Sequence, residues 1–223
     1  MMTPDTLAAL AFDLDGTLLD SAPDIAAALN AALAAAGLPP ADIDQVRAWI
    51  GDGPDRLIER ALAAIGHEPA APRVAALRAG FDAATLAAPL RLGRVYDGIE
   101  PLLQRLAPRW PLVVVTNKPS HLAWAVLDAA GLLTPFAAVF GADRPAWRKP
   151  APAMLHAAAR QLGVAAPALL MIGDSAPDLQ AARAAGSPML LAGWGYGDGS
   201  RLAPAADAYA ERPEAVGRLL GAA

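Results

Sequence analysis

Short apolar runs that end on an acid or a hydroxyl, separated by alanine-rich stretches of helical length, constrain this chain more than any other feature. Residues 7–14 run into Asp13, the β-branched run 112–115 ends at Thr116, and 169–172 end at Gly173-Asp174, with shorter runs at 137–140 and 189–191. Between them, 99–106, 121–130, 151–162 and 179–185 predict helices, the last three closed by Gly131, Gly163 and Gly186. Apolar runs of this length between turn residues read as buried strands. Strands that alternate with such helices pack as right-handed βαβ units on a parallel sheet, so the predicted class is α/β.

One block departs from the alternation. Residues 25–36, 43–50, 56–65 and 74–86 predict helices, interrupted at Gly37-Leu38-Pro39-Pro40 and Gly51-Asp52-Gly53-Pro54, and no strand pattern falls between Asp20 and Leu90. The block therefore reads as an inserted all-helical unit over 20–90, with 1–19 and 91–223 forming the core around it. A chain of 223 residues with 55% hydrophobic and 18% charged residues has ample material for that core. The net charge of -4 lacks the basic field that nucleic-acid binding needs, so no nucleic-acid partner is expected. The absence of cysteine excludes disulfides, zinc–thiolate sites and thiol nucleophiles. No apolar run is long enough to span a bilayer, and residues 1–11 lack the basic start and cleavage site of a signal peptide. A cytoplasmic location with no membrane partner is the resulting expectation.

Open parallel sheets bind ligands at the carboxyl ends of their strands. Those ends carry Asp13 and Asp15; Thr116, Asn117 and Lys118; and Asp174 with Asp178 beyond it, while Lys149 lies in a loop leading toward the strand that ends at Asp174. Clustered carboxylates repel one another unless a cation sits between them. Carboxylate oxygens without His or Cys suit Mg²⁺, which keeps coordination positions for water and a phosphate oxygen. A hydroxyl and an ammonium then cradle the remaining phosphoryl oxygens, so the charge balance points to phosphoryl chemistry. The scarcity of lysine, only Lys118 and Lys149, suggests positions where a compact ammonium is required.

Phe12-Asp13-Leu14-Asp15-Gly16-Thr17-Leu18, Thr116-Asn117, Lys149-Pro150 and Gly173-Asp174-Ser175-Ala176-Pro177-Asp178 resemble, in order, the four motifs of the haloacid dehalogenase-like hydrolases. Asp20-Ser21-Ala22-Pro23-Asp24, Trp49-Ile50-Gly51-Asp52-Gly53, Thr116-Asn117-Lys118-Pro119 and Gly195-Tyr196-Gly197 are similar to the phosphoglycolate phosphatase group of that superfamily. The resemblance implies a Rossmann-like parallel-sheet core with a small helical cap after the first motif, closing over the site. It implies Asp13 as nucleophile and Asp15 as acid and then base. Thr116 and Asn117 would bind phosphoryl oxygens, and Lys149 would neutralise charge on Asp13 and the phosphoryl group. The implied metal set is Asp13, Asp15 through its backbone carbonyl, and Asp174, with Asp178 ordering a metal water or Lys149. Gly51, Asp52, Gly53 and Arg56 are candidates for the substrate-facing cap loop. Asp52 departs from the group's usual Asn, which leaves the substrate open.

The expected activity is Mg²⁺-dependent hydrolysis of a small phosphate ester, with 2-phosphoglycolate the leading candidate, by a monomer or homodimer. A phosphomutase or phosphotransferase, a pyrophosphatase and a nucleotide phosphatase are the alternatives. A non-catalytic phosphate binder would have lost a catalytic carboxylate, and all are present. Plainer roles stand beside these. Asp174 and Asp178 would also serve as helix caps. Lys118 reads as a surface residue, Arg56 as a helix-surface charge, Trp49 as packing or a pocket wall, and 193–199 as a flexible loop near the site.

Overall fold

A computed structural model describes residues 4–222; the outermost residues of the core segments, 1–3 and 223, lie outside that range. In chain order β1 (Ala9–Phe12) leads through β2 (Leu19–Asp20) into the helices α1 (Ala22–Ala35), α2 (Ile43–Trp49), α3 (Pro54–Ala64) and α4 (Ala71–Ala87). The chain returns through β3 (Arg94–Val95) to α5 (Ile99–Leu106), β4 (Leu112–Thr116), α6 (Ser120–Ala129), β5 (Phe136–Gly141) and α7 (Ala153–Leu162). It finishes with β6 (Leu169–Gly173), α8 (Ala176–Ala185), β7 (Met189–Ala192), α9 (Gly199–Leu202), β8 (Ala208–Ala210) and α10 (Pro213–Leu219).

The main sheet has the order β5-β4-β1-β6-β7-β8, and its ladders are parallel. β1 lies between β4 and β6, so its residues are buried on both faces, as a run without alternation requires. Leu10, Phe12, Val114 and Ile172 face one apolar cluster, with α5 and α10. Ala11, Val113, Val115 and Met171 face the other, with α7 and α8. α1 to α4 build a third cluster on Leu29, Leu33, Ile58, Leu62 and Phe81, which Leu122 of α6 joins from the core.

Two features differ from the sequence expectation. The sheet continues past 189–191 to β8, whose three residues are too few to show a period. β2 and β3 form a two-residue antiparallel ladder, Leu19 opposite Val95 and Asp20 opposite Arg94, at the base of the helical block. Asp24, in the first turn of α1, reinforces this base: its carboxylate accepts the backbone N–H groups of Arg91, Leu92 and Gly93 at 2.9, 2.9 and 2.6 Å. Among the described residues no helix is long and apolar enough to cross a membrane.

Candidate active site

Sheet register brings the polar strand ends together. Phe12 pairs with Val114 on one side and Ile172 on the other, so the chain leaves β1 level with the ends of β4 and β6. Asp13 continues the ladder, its N–H donating to the Ile172 carbonyl at 2.9 Å. Asp13, Thr116 and Asp174, far apart in the sequence, thus emerge at one edge of the sheet, and all three are buried.

Lys149 reaches the same point from the loop before α7 and is only 1% exposed. Its ammonium lies 2.9 Å from Asp13 Oδ1 and donates to Asp178 Oδ1 at 2.6 Å and to the Val115 carbonyl at 2.9 Å. The two donated bonds use two of the ammonium's three protons, and Asp13 Oδ1 stands at ion-pair distance. Burial works to lower the Lys149 pKa, but Asp13 and Asp178 outweigh it and the net shift is upward, so the lysine stays charged. Asp178 is consumed by this duty: Oδ1 takes Lys149, and Oδ2 accepts the N–H and the hydroxyl of Ser175 at 3.0 and 2.5 Å. The last two bonds also close the capping box that starts α8.

Asp174 is held as firmly. Its Oδ1 accepts from Thr17 Oγ1 at 2.9 Å, and its Oδ2 accepts from the backbone N–H groups of Tyr196 and Gly197 at 2.8 and 3.2 Å. Gly16 permits this closeness: it has a φ of 87°, and a Cβ there would collide with the Asp174 carboxylate. Asp15 is fixed by Ser21 Oγ at 2.6 Å and by Lys118 Nζ at 2.9 Å. Lys118 is therefore not a surface residue. It is 6% exposed and paired with Asp15, because the turn after β4 directs it inward beside Thr116. Its place among only two lysines, directly after Thr116-Asn117, was the available signal.

Asn117 is positioned differently from a simple phosphate ligand. Its amide donates to the carbonyls of Gly51 and Lys149 at 2.8 and 3.0 Å and accepts the Lys149 N–H at 2.7 Å. Both side-chain N–H groups are committed, so the amide clamps Lys149 to the helical unit's 51–53 loop. Thr116 Oγ1 accepts the Lys118 N–H at 3.2 Å and has no protein acceptor for its own proton among the described residues.

The helical unit covers these groups. A chamber of about 40 Å³ is bounded by Asp13, Asp15, Thr116, Asn117 and Lys118 below and by Ile25, Ile50, Leu57 and Phe81 above. Gly51 and Gly53 line it as well, but Asp52 and Arg56 do not. Asp52 turns out to ion-pair with Arg60, and Arg56 pairs with Glu59 at 2.5 Å on the surface of α3. The carboxylate at 52 thus never faces an anionic ligand in this arrangement. Trp49 packs against the helical cluster rather than lining the chamber. A bond across the junction, Arg148 to Asp55 at 3.0 Å, holds the unit against the core.

The electrostatics call for a cation. Oxygens of Asp13, Asp174 and Asp178 lie within 4.8 Å of one another, all buried. Burial, then the charge of Asp178, pushes the Asp13 carboxyl up to about 8 despite the opposing pull of Lys149. Burial and Asp178 likewise raise Asp174 to about 6 against its three hydrogen-bond donors. Asp13 Oδ1 sits at ion-pair distance from Lys149 without an aligned hydrogen bond, an unsatisfied buried acceptor. A cluster of buried carboxylate oxygens with no His or Cys ligand among them fits a hard divalent cation.

The model of the haloacid dehalogenase-like hydrolase family matches residues 7–186, and the chain belongs to that family. It is 41% identical over 196 residues to the phosphoglycolate phosphatase of Pectobacterium atrosepticum, covering 86% of this chain and 84% of the relative. With the phosphoglycolate phosphatase of Xanthomonas campestris pv. campestris it shares 41% identity over 210 residues, 92% of each chain. The crystal structure of a predicted phosphoglycolate phosphatase from Haemophilus somnus 129PT superposes with a TM-score of 0.88 at 29% identity, over 98% of this chain and 99% of that one. Within the family the chain falls in the phosphoglycolate phosphatase-like group and is a phosphoric monoester hydrolase.

Proposed function

We propose that this enzyme is a Mg²⁺-dependent phosphatase that hydrolyses 2-phosphoglycolate, or a phosphate ester of equally small leaving group, through a phosphorylated Asp13. The observation that carries this reading is the convergence of Asp13, Asp15 and Thr116 on one small chamber beneath the helical unit, with the buried Lys149 ammonium 2.9 Å from Asp13. The relatives named phosphoglycolate phosphatase support the substrate.

In the first step Asp13 attacks phosphorus while Asp15 protonates the departing alcohol oxygen. In the second, Asp15 removes a proton from water as that water attacks the acyl phosphate, releasing inorganic phosphate and restoring Asp13. Thr116 donates its free hydroxyl proton to a phosphoryl oxygen. Lys149 balances charge on Asp13 and the transferring group, and Asp178 orients Lys149. Asp13, the Asp15 carbonyl and Asp174 would hold the Mg²⁺, which when bound would supply charge neutralisation and orientation of the phosphoryl group. Asn117 acts as a clamp through its side chain, and Gly51 and Gly53 let the loop approach the substrate closely. Residues 20–90 act as a lid over a core of 1–19 and 91–223, turning on the β2–β3 ladder and excluding bulk water when closed. The pairing of Asp52 with Arg60 supports a role for Asp52 in holding the lid's own loop rather than in contacting the substrate.

Phosphate release is measured with and without Mg²⁺ on 2-phosphoglycolate, sugar monophosphates, nucleotides and pyrophosphate. The expected result is metal-dependent release fastest from 2-phosphoglycolate and abolished in Asp13→Asn. Absence of release from every compound refutes the phosphatase mechanism; a faster sugar phosphate or nucleotide refutes only the substrate.

A further inference from the structure

The glycine-rich segment 193–199 is no loose loop. A Cβ at Gly195 would collide with Asp174 and the Gly16 carbonyl, and one at Gly197 with the Asp174 carbonyl, so the backbone lies flush against the metal-site carboxylate. Trp194 Nε1 anchors the same strap to the Thr17 carbonyl at 3.0 Å. One residue of the strap then faces two ways. The backbone N–H of Tyr196 donates to Asp174 Oδ2 at 2.8 Å. Its side-chain hydroxyl donates to Asp20 Oδ1 at 2.9 Å and accepts the Ala22 N–H at 2.9 Å. Asp20 belongs to the β2–β3 ladder, and Ala22 is the first residue of α1. A phenol offers one proton and accepts readily, so both of its hydrogen-bonding capacities are used at the base of the lid. Burial, reinforced by the neighbouring Tyr96, raises the Tyr196 pKa, which keeps that proton in place through the neutral range.

We infer that Tyr196 is a positioning residue that couples occupancy of the cation site at Asp174 to the seating of the lid hinge. The inference rests on the cation site proposed above. A cation that fixes Asp174 fixes the Tyr196 backbone, and the phenol transmits that order to Asp20 and the start of α1. Because coupling is reciprocal, an ordered hinge also favours the cation-ready position of Asp174.

The test uses Mg²⁺ alone. Calorimetry gives its affinity for the wild-type protein, Tyr196→Phe and Asp20→Ala, and amide hydrogen exchange is followed with and without Mg²⁺ over residues 25–35, beyond the directly bonded Ala22. Wild-type exchange there is expected to slow about fivefold or more on binding, in the range of ordinary coupling free energies. In Tyr196→Phe, whose backbone N–H still serves Asp174, Mg²⁺ still binds, with an affinity expected to fall by no more than the lost coupling factor, while the slowing in α1 falls below about twofold. Asp20→Ala is expected to uncouple in the same way with Tyr196 intact, and exchange in β1, β4 and β6 is expected to be the same in all three proteins. Equal Mg²⁺-induced protection of α1 in wild type and Tyr196→Phe overturns the coupling while leaving the cation site standing. Failure of wild type to bind Mg²⁺ removes the cation site and the coupling together.

Discussion

Replacing Lys149 by Met is the most informative perturbation of the site. The side chain is 1% exposed, and Met occupies similar volume without charge or donors. The change leaves Asp13 and Asp178 without the ammonium at 2.9 and 2.6 Å and the Val115 carbonyl without its donor at 2.9 Å. Removing one partner from a buried ion pair typically destabilises by about 3–5 kcal/mol. For a chain of this size that corresponds to a fall in Tm of ~6–20 °C near neutral pH, taking ~2–4 °C per kcal/mol. The loss has a defined pH dependence. Asp13 already titrates at about 8, above its ordinary 3.8, and losing Lys149 removes the influence that lowers it. A carboxyl whose folded pKa is raised contributes stability fully below the unfolded pKa and loses it as pH rises through the folded one. The Asp13 contribution to the gap between Lys149→Met and wild type is therefore expected to be nearly constant from pH 5 to 7 and to widen as pH rises through about 8, where wild-type Asp13 ionises and that of the variant does not, and Mg²⁺ is expected to restore part of it. Thermal melts followed by circular dichroism from pH 5 to pH 9, with and without Mg²⁺, check this. A gap under about 1 kcal/mol at pH 8, well below the range for a broken buried pair, or a gap that widens on acidification, refutes the charge-compensation argument.

Other outcomes follow from the same geometry. Asp15→Asn is expected to slow the first step, read as the pre-steady-state burst of released alcohol, by about 10²–10⁴-fold on an alkyl phosphate and far less on p-nitrophenyl phosphate, whose leaving group needs no proton; equal losses in that step would exclude Asp15 as the acid. In the metal-free protein, stability is expected to fall as pH rises through about 6 and then about 8, where Asp174 and Asp13 ionise, so the Tm increase produced by Mg²⁺ should grow over that interval; a pH-independent increase counters it. Thr17→Val removes the 2.9 Å bond to Asp174 Oδ1 while nearly keeping the shape, and is expected to weaken Mg²⁺ binding about 10–100-fold by calorimetry. An unchanged affinity would show that Thr17 does not hold the ligand.

What the sequence determined by itself was the part written in local patterns. Apolar runs ending on Asp13, Thr116 and Asp174 specified parallel strands and the edge where they open, because burial on both faces demands continuous hydrophobicity and a polar terminus marks emergence into solvent or a site. The family motifs carry the chemistry of those ends. What only the tertiary structure decided concerns partners that no local pattern encodes. Thr17 meets Asp174 across 157 residues and Tyr196 meets Asp20 across 176, contacts made by sheet register and close glycine packing rather than by spacing. Register likewise turned Lys118 inward to Asp15, and the helical unit's own ion pairing drew Asp52 to Arg60. The two-residue β2–β3 ladder and β8 were illegible for a simpler reason: a period cannot be read from two or three residues, and such strands exist only because a neighbouring strand supplies their hydrogen bonds.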